Sequence, residues 1–196
     1  MIAVNRRRYM GGGVAPLPYD AEVEYLESSG TQYINTGIIA NPSTIIRTKL
    51  MNLSTTVYAI LGYERNGNNR FAVHNYRSSC YLVFLGAEIM ASGKLYANTL
   101  YEYEFGNFYI KDIPTGNVLA STTQTENTAT DYIYLNGNYP SKNRFYYFQA
   151  YDGNTLILDL IPVRVGQVGY MYDKISGRLF GNSGTGDFIL GNDKTA

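Results

Sequence analysis

The chain has 196 residues, of which 45% are hydrophobic, so it is long enough for one large all-β domain with a sizeable core. Its 16 Lys and Arg balance its 16 Asp and Glu, which excludes a general attraction to nucleic acid or to an anionic membrane. No run of about 18 apolar residues is present that could span a membrane. The 20 Tyr favour strands, and the 20 Gly supply turns.

The first 18 residues are predicted to be a flexible N-terminal arm, followed by a β-sandwich domain at residues 19–196. Three glycines and two prolines in the arm argue against independent folding. Glycines follow its arginines where a signal peptide would need an apolar segment, so we expect no cleaved signal. The arm is expected to order on a partner, where its basic cluster would meet carboxylates. That cluster consists of Arg6, Arg7, Arg8 and Tyr9.

Short apolar or alternating segments separated by turn residues predict a succession of β-strands. They lie at residues 23–26, 31–34, 44–50, 56–61, 71–75, 81–85, 100–109, 118–122, 132–135, 168–172, 178–180 and 188–190. Residues 86–94 are ambiguous and allow a short helical turn, whereas Asn136-Gly137 is a hairpin signal. We find no internal repeat and no βαβ pattern. The fold class is therefore all-β, as an antiparallel sandwich rather than a barrel.

The clearest local signal is the hairpin between residues 145 and 165, with a turn at Asp152-Gly153-Asn154. A three-residue loop would place Ala150 opposite Leu156 and Phe148 opposite Leu158, which makes one side of the ribbon continuously apolar. Tyr147 and Tyr151 would then lie on the wet side. We expect this hairpin in the centre of a sheet, with Pro162 ending the ladder because proline lacks an N–H donor.

Two end segments resemble the concanavalin A-like, laminin-G-like domains. They are residues 24–37 (EYLESSGTQYINTG), together with the motifs at 161–164 (IPVR), 169–173 (GYMYD) and 184–188 (GTGDF). The short basic and glycine-rich head joined to this domain resembles the version found in structural proteins of tailed phages of gut bacteria. The resemblance implies a jelly-roll sandwich on a virion, associated with the capsid or the tail. Fold alone does not settle its role.

One loop and strand concentrate planar donors and aromatic rings, which together could hold an acidic sugar or a protein carboxylate. The alternative is an exposed polar loop with a hydrogen-bonded histidine. The candidate ligand-binding residues are Arg65, Asn69, Arg70, His74, Tyr76 and Arg77.

Catalytic chemistry has one weak candidate, the spacing of Glu22, Glu24 and Glu27, which resembles the acidic triplet of retaining glycosidases on concanavalin-like sandwiches. We interpret these carboxylates as solvated charges on an edge strand, and Glu102 and Glu104 as a second solvent-facing row. The chain is therefore expected not to be an enzyme, and no catalytic residue is assigned.

Cysteine and metal chemistry are not expected either. The lone Cys80 cannot form an internal disulfide and is predicted to be a small buried hydrophobe. Asp187 and Asp193 fall short of the six to eight oxygens that calcium takes, so no metal and no cofactor are expected.

Three functions remain open. The first is a non-enzymatic virion protein, capsid-associated (auxiliary or decoration) or tail-associated, that is made without a signal peptide. It would bind other virion proteins and could form a homo-oligomer through its arm and its tyrosine-bearing sheet face. The second is a glycan-binding adhesion module for the host surface, using either the arginine-rich patch or an aromatic sheet face. The third is a glycoside hydrolase.

Overall fold

The computed structural model describes residues 16–54, 59–62, 70–106, 108–123, 129–137 and 141–195. Within these ranges every regular element is a β-strand, and all the strand pairs are antiparallel. No described helix is long and apolar enough to cross a membrane.

The described strands form two sheets. The larger sheet has the order β11-β10-β9-β4-β13-β14-β15-β16, with β1, β2 and β17 attached to it, and the smaller has the order β3-β12-β5-β6-β7-β8. The bounds are Ala21–Glu22 (β1), Leu26–Glu27 (β2), Ile34–Ile39 (β3), Thr44–Asn52 (β4), Ala59–Gly62 (β5), Phe71–Tyr76 (β6), Ser79–Phe84 (β7), Ala87–Ala91 (β8), Leu100–Gly106 (β9), Tyr109–Asp112 (β10), Val118–Ser121 (β11), Tyr132–Leu135 (β12), Asn143–Asp152 (β13), Thr155–Val165 (β14), Val168–Asp173 (β15), Leu179–Phe180 (β16) and Ile189–Leu190 (β17).

The two sheets enclose a common apolar core, so the expected all-β sandwich is confirmed. Strand β4 alternates buried and half-buried residues along its whole length, because successive side chains point to opposite faces of a sheet. Its inward Ile46 and Leu50 belong to the same buried cluster as Leu82 and Phe84 of the smaller sheet. Phe84 also contacts the ring of Phe108 edge-on, with the centroids 4.9 Å apart.

The main hairpin lies in the centre of the larger sheet, as expected, but its predicted register is wrong. The turn is closed by Asp152 opposite Thr155, and an irregularity after Ala150 then brings Ala150 opposite Leu158 and Phe148 opposite Leu160. This β-bulge restores the apolar pairing that a two-residue loop alone would have scrambled. The position of this bulge depends on packing within the sheet, and the alternation around Ala150 gives no sign of it.

Pro162 does not end the ladder. Strand β14 continues to Val165, and Pro162 lies opposite Met171 of β15. On its other side, Pro162 accepts a hydrogen bond at its carbonyl from the N–H of Val23, just past the end of the two-residue strand β1. Because this neighbour is so short, the missing donor of proline interrupts little of the sheet.

The structure settles two further local expectations. The ambiguous residues 86–94 contain strand β8 and no helical turn. Asn136-Gly137 does not close a hairpin, because β12 and β13 belong to different sheets. Its left-handed backbone instead turns the chain from one sheet towards the other.

The first and last segments of the domain are bonded to each other. Thr31 donates its hydroxyl to the carbonyl of Thr185, and the N–H of Ser183 donates to the carbonyl of Tyr33. Asn182 accepts the N–H of Tyr33 and donates its amide to the carbonyl of Gly186. The motifs 28–33 and 182–186 thus form one joint.

Behind this joint lies a buried polar cluster. Ser28 and Gln32 are hydrogen-bonded to each other, and Asn136 donates to Ser28 Oγ at 2.7 Å. Asn143 in turn donates to Asn136 Oδ1 at 2.6 Å. The cluster therefore ties the early motif to the start of β13.

Candidate functional site

Part of the predicted binding set lies outside the described residues. This holds for Arg6, Arg7, Arg8 and Tyr9 of the arm, and for Arg65 and Asn69 of the arginine-rich loop. The remaining four, Arg70, His74, Tyr76 and Arg77, are described.

The structure spreads these four along β6. Arg70 directly precedes the strand, His74 lies within it, and Tyr76 and Arg77 lie at its far end. Tyr76 ends β6, and the guanidinium of Arg77 lies over its ring, 5.4 Å from the centroid. Arg77 and Ser78 make the tight turn into β7, and both have a positive φ although neither is glycine. Positive φ at both central residues is the requirement of a two-residue type I′ hairpin turn. Sequence reasoning missed Tyr81, whose ring lies 5.9 Å from His74 and 6.2 Å from Tyr76.

His74 differs from both interpretations drawn from the sequence. It lies buried in β6 rather than in an exposed loop, and its Nε2 has no hydrogen-bond partner among the described residues. Burial, together with a smaller contribution from the charge of Arg70, lowers the pKa of His74 to about 4. A neutral ring at pH 7 cannot pair with an acidic ligand, so any anion binding here would depend on the arginines.

Cys80 is buried in the core, as predicted. Burial also raises the pKa of its thiol, which keeps the sulfur protonated. Although Cys80 lies on the strand beside His74, its pairing partner across the ladder is Asn75, whereas His74 pairs with Tyr81. Side chains alternate between the faces, so the thiol and the imidazole point to opposite sides of the sheet.

The three early glutamates bind different partners. Glu22 lies 3.6 Å from the Lys194 ammonium, and Glu27 binds Arg144 Nε at 2.5 Å. Glu24 accepts a hydrogen bond from the side chain of Asn192 at 3.2 Å. The interpretation as simple solvated charges is thus incomplete, because each carboxylate has a bonding partner.

Glu104 corrects a second expectation. It was predicted to face solvent beside Glu102, but it is buried. Arg47 Nε donates to Glu104 at 2.5 Å, the hydroxyl of Tyr109 donates to its other oxygen, and Lys111 lies 3.4 Å away. Burial alone would raise the pKa of Glu104, but these hydrogen bonds and positive charges outweigh it and lower the pKa. Long side chains from neighbouring strands cover the carboxylate.

Two adjacent tyrosines point outward from the larger sheet because of a second β-bulge. The β13–β4 register shifts between Phe145 and Tyr147, so Phe145 faces the core while Tyr146 and Tyr147 are both half-buried on the outer side. Tyr147 was expected there, whereas strict alternation would place Tyr146 on the apolar side with Phe148. The run Phe-Tyr-Tyr-Phe, which breaks strict alternation, is the signal that could have revealed this.

These tyrosines line an open groove on the outer face of the sheet. One part, of about 490 Å³, is lined by Glu24, Tyr25, Lys49, Glu102, Tyr146, Tyr147 and Lys194. A second part, of about 280 Å³, shares Tyr146, Tyr147 and Lys194 with the first and adds Gln149, Asp159, Ile161 and Lys174. We call the two parts together the tyrosine groove.

Hydrogen bonds fix the side chains of the tyrosine groove. Tyr147 donates its hydroxyl to Glu102 at 2.9 Å, and burial together with this bond raises its pKa. The rings of Tyr25 and Tyr146 are 5.4 Å apart, and Arg144 lies over Tyr25, 4.4 Å from the centroid. The groove therefore presents fixed aromatic rings beside polar groups of both charges.

No metal site appears among the described residues, where no group of three or more His, Cys, Asp or Glu side chains converges. Asp193 is one of the two aspartates considered for calcium. Its carboxylate instead accepts hydrogen bonds from Arg164 Nε at 2.7 Å and from Arg164 Nη2 at 2.6 Å.

Comparisons with known proteins leave the family open. No model of a known protein family matches the chain, and no curated protein matches its sequence.

Proposed function

We propose that this protein is a non-enzymatic structural protein of a tailed-phage virion, associated with the capsid or the tail. In this proposal its sandwich is a concanavalin A-like jelly roll. The supporting observation is the joint between residues 28–33 and 182–186, where the two segments that carry the resemblance bond directly to each other. Their contact is what a resemblance carried by both ends of one domain would require.

The outer face of the larger sheet supports a docking role. Its carboxylates Glu102, Glu104 and Asp159 are already paired with lysine, arginine or tyrosine side chains. Burying a charge under a partner protein costs free energy unless an opposite charge or a hydrogen bond offsets it. Charges that are already paired within one molecule need fewer such contacts from the partner. Tyrosine and arginine, which are common on this face, are enriched in the centres of protein interfaces.

Co-purification tests the proposal. If the chain is a virion component, it sediments with intact particles and stays bound after washing at high salt. Its absence from purified particles, with the protein present in the lysate, would contradict the proposal.

Deleting residues 1–18 tests the predicted role of the arm. We expect the truncated protein to fold and to be lost from particles, because Arg6, Arg7 and Arg8 would no longer meet the partner's carboxylates. Lys142→Gln, which removes an exposed positive charge from the domain, is the matched control and should leave incorporation unchanged.

A second candidate function is glycan binding for host adhesion, favoured by the tyrosine groove. Aromatic rings pack against the C–H faces of sugars, while carboxylate and amide groups exchange hydrogen bonds with hydroxyls. The groove contains three carboxylates and three lysines, Glu24, Glu102, Asp159, Lys49, Lys174 and Lys194. Because these charges balance, the groove suits a neutral oligosaccharide.

Titration with neutral oligosaccharides separates the two candidates. Under the adhesion hypothesis, Tyr146→Ala abolishes binding, whereas Ala at the exposed Tyr96, outside the groove, does not. If the protein bound no member of a broad glycan panel but was present in purified particles, only the structural role would remain.

A further inference from the structure

A third cleft lies between the edges of the two sheets. It is formed where β3, an edge strand of the smaller sheet, approaches β16, an edge strand of the larger one. Its volume is about 540 Å³, within the usual range for small-molecule sites. It is lined by Asn35, Thr36, Gly37, Tyr132, Arg178, Leu179, Phe180, Gly181 and Ser183.

Arg178 is the only charged side chain in this lining. Its guanidinium lies over the ring of Phe180, 5.6 Å from the centroid, and forms no ion pair within the described part of the chain. Three other described arginines differ, since Arg47, Arg144 and Arg164 each bind a carboxylate. The planar face of Arg178 is thus packed while its N–H groups stay available.

The backbone that carries Arg178 is fixed. The carbonyl of Arg178 accepts the N–H of Asp173, and Gly177 donates to the carbonyl of Asp173, which closes the turn. Inside this turn, the Asp173 carboxylate accepts hydrogen bonds from the N–H groups of Ile175 and Ser176. The opposite rim is fixed as well, because Ser183 donates its N–H to the carbonyl of Tyr33 at 2.8 Å.

The strand edge in the cleft is not open to an added peptide strand. Asn35 Oδ1 accepts the N–H of Gly37, and Thr36 Oγ1 accepts the N–H of Ile38. Thr36 also donates its hydroxyl to the carbonyl of Ile133 at 2.6 Å. Backbone donors that are satisfied in this way cannot pair with a new strand.

The same bonds leave the cleft rich in donors. The Asn35 amide and the hydroxyls of Tyr132 and Ser183 join Arg178, while Asn35 Oδ1 and Thr36 Oγ1 each already accept one hydrogen bond. A peptide would bring N–H groups that need acceptors, whereas a sugar hydroxyl can turn and accept. An arginine fork matches a carboxylate in two parallel hydrogen bonds.

We infer that this cleft binds a carboxylated sugar, a uronic or sialic acid unit, with its carboxylate on Arg178 and its ring between Tyr132 and Phe180. The inference is independent of the virion role and concerns a different place from the tyrosine groove.

The test is a titration of the full chain with glucuronate and with N-acetylneuraminate, followed by ligand-observed NMR or calorimetry. Each acid is compared with its methyl ester, which keeps the ring and removes the charge. We expect the esters to bind at least ten-fold more weakly. Arg178→Gln should cause a loss of the same size, and Arg178→Lys an intermediate loss, because lysine gives a point charge without the fork.

Lys142→Gln serves as the matched control and should leave the affinity unchanged. Equal binding of acid and ester, equal binding by Arg178→Gln, or no binding of either acid at millimolar concentration would each overturn the inference. A loss caused by Tyr146→Ala but not by Arg178→Gln would place acid binding in the tyrosine groove and would also overturn it.

Discussion

Gly184 lies so close to Thr31 that a Cβ atom on Gly184 would stand 2.0 Å from the Thr31 carbonyl oxygen. No side chain fits at this distance, and the atom that it would meet belongs to the backbone and cannot swing aside. The contact holds the last loop of the domain against its first motif.

We therefore predict that Gly184→Ala destabilises the fold by roughly 1–3 kcal/mol, as overpacking generally does. Gly181→Ala, in the same loop, is the control, because its Cβ would meet only the ring of Tyr170 at 3.3 Å. Urea denaturation of both variants measures the effect. If the two lost the same stability, the proposed joint would not be a tight contact.

His74 is predicted to make the fold sensitive to mild acid. Its pKa is about 4 in the folded protein and 6.5 when exposed, so between these values the unfolded chain binds the proton more readily. The free energy of unfolding has its full value above about pH 6.5. It falls progressively as the pH is lowered towards 4, by up to about 3 kcal/mol.

His74→Phe should remove this loss, since His74 is the only histidine in the chain. Thermal unfolding of both proteins from pH 7.5 to 4.5 provides the comparison. If the unfolding temperatures of wild type and variant changed in parallel with pH, His74 would not titrate as described.

Asp173 is predicted to stabilise the turn that carries Arg178. Burial alone would raise the pKa of its carboxyl, but hydrogen bonds from Ser176 and from backbone N–H groups outweigh burial and lower it. Asp173→Asn replaces one acceptor oxygen by an amide group that cannot accept, and should cost about 1.5–3 kcal/mol at pH 7. Asp187→Asn, at an exposed aspartate, is the control and should cost little.

The sign of the pH dependence follows from the lowered pKa. Asp173 contributes its full share of the free energy of unfolding above pH 3.8, the ordinary pKa of an aspartate. This contribution is lost as the pH falls through the lower pKa that Asp173 has in the folded protein. The difference between wild type and Asp173→Asn should therefore shrink in strong acid. If the difference in stability between wild type and Asp173→Asn stayed constant down to pH 2, the ionised carboxylate of Asp173 would not be its source.

Glu104 and Glu102 form a matched pair, both on β9 and both facing outward from the core. Glu104→Gln should cost about 1–3 kcal/mol, because the buried carboxylate accepts from Arg47 and Tyr109 and the substitution removes its charge. Glu102→Gln should cost less than about 1 kcal/mol, since Lys49 lies 4.0 Å away and the side chain is 29% exposed. Equal losses in denaturant titrations would mean that burial does not distinguish the two.

Much of the fold could be predicted from local pattern. The alternation in β4, the aromatic and β-branched runs of β13 and β14, and the burial of Cys80 follow from side chains that repeat with a period of two. The candidate ligand-binding role of Arg70, His74, Tyr76 and Arg77 stays a prediction.

The rest depended on contacts between distant residues. Tyr25 and Tyr146 meet in one groove, and Asn35 and Arg178 line one cleft, yet each pair is more than 100 positions apart. The outward turn of Tyr146 and the pairing of Phe148 with Leu160 required two bulges, whose positions are set by packing across several strands.

The sequence by itself determined that the chain forms paired strands around an apolar core, because alternation and turn chemistry are local properties of the chain. Only the tertiary structure decided which polar groups share a surface. That choice depends on the order of the strands in each sheet. It also depends on the positions of the bulges, because a shift of one residue moves the following side chains to the opposite face of the sheet. Neither property can be predicted from a short stretch of the sequence.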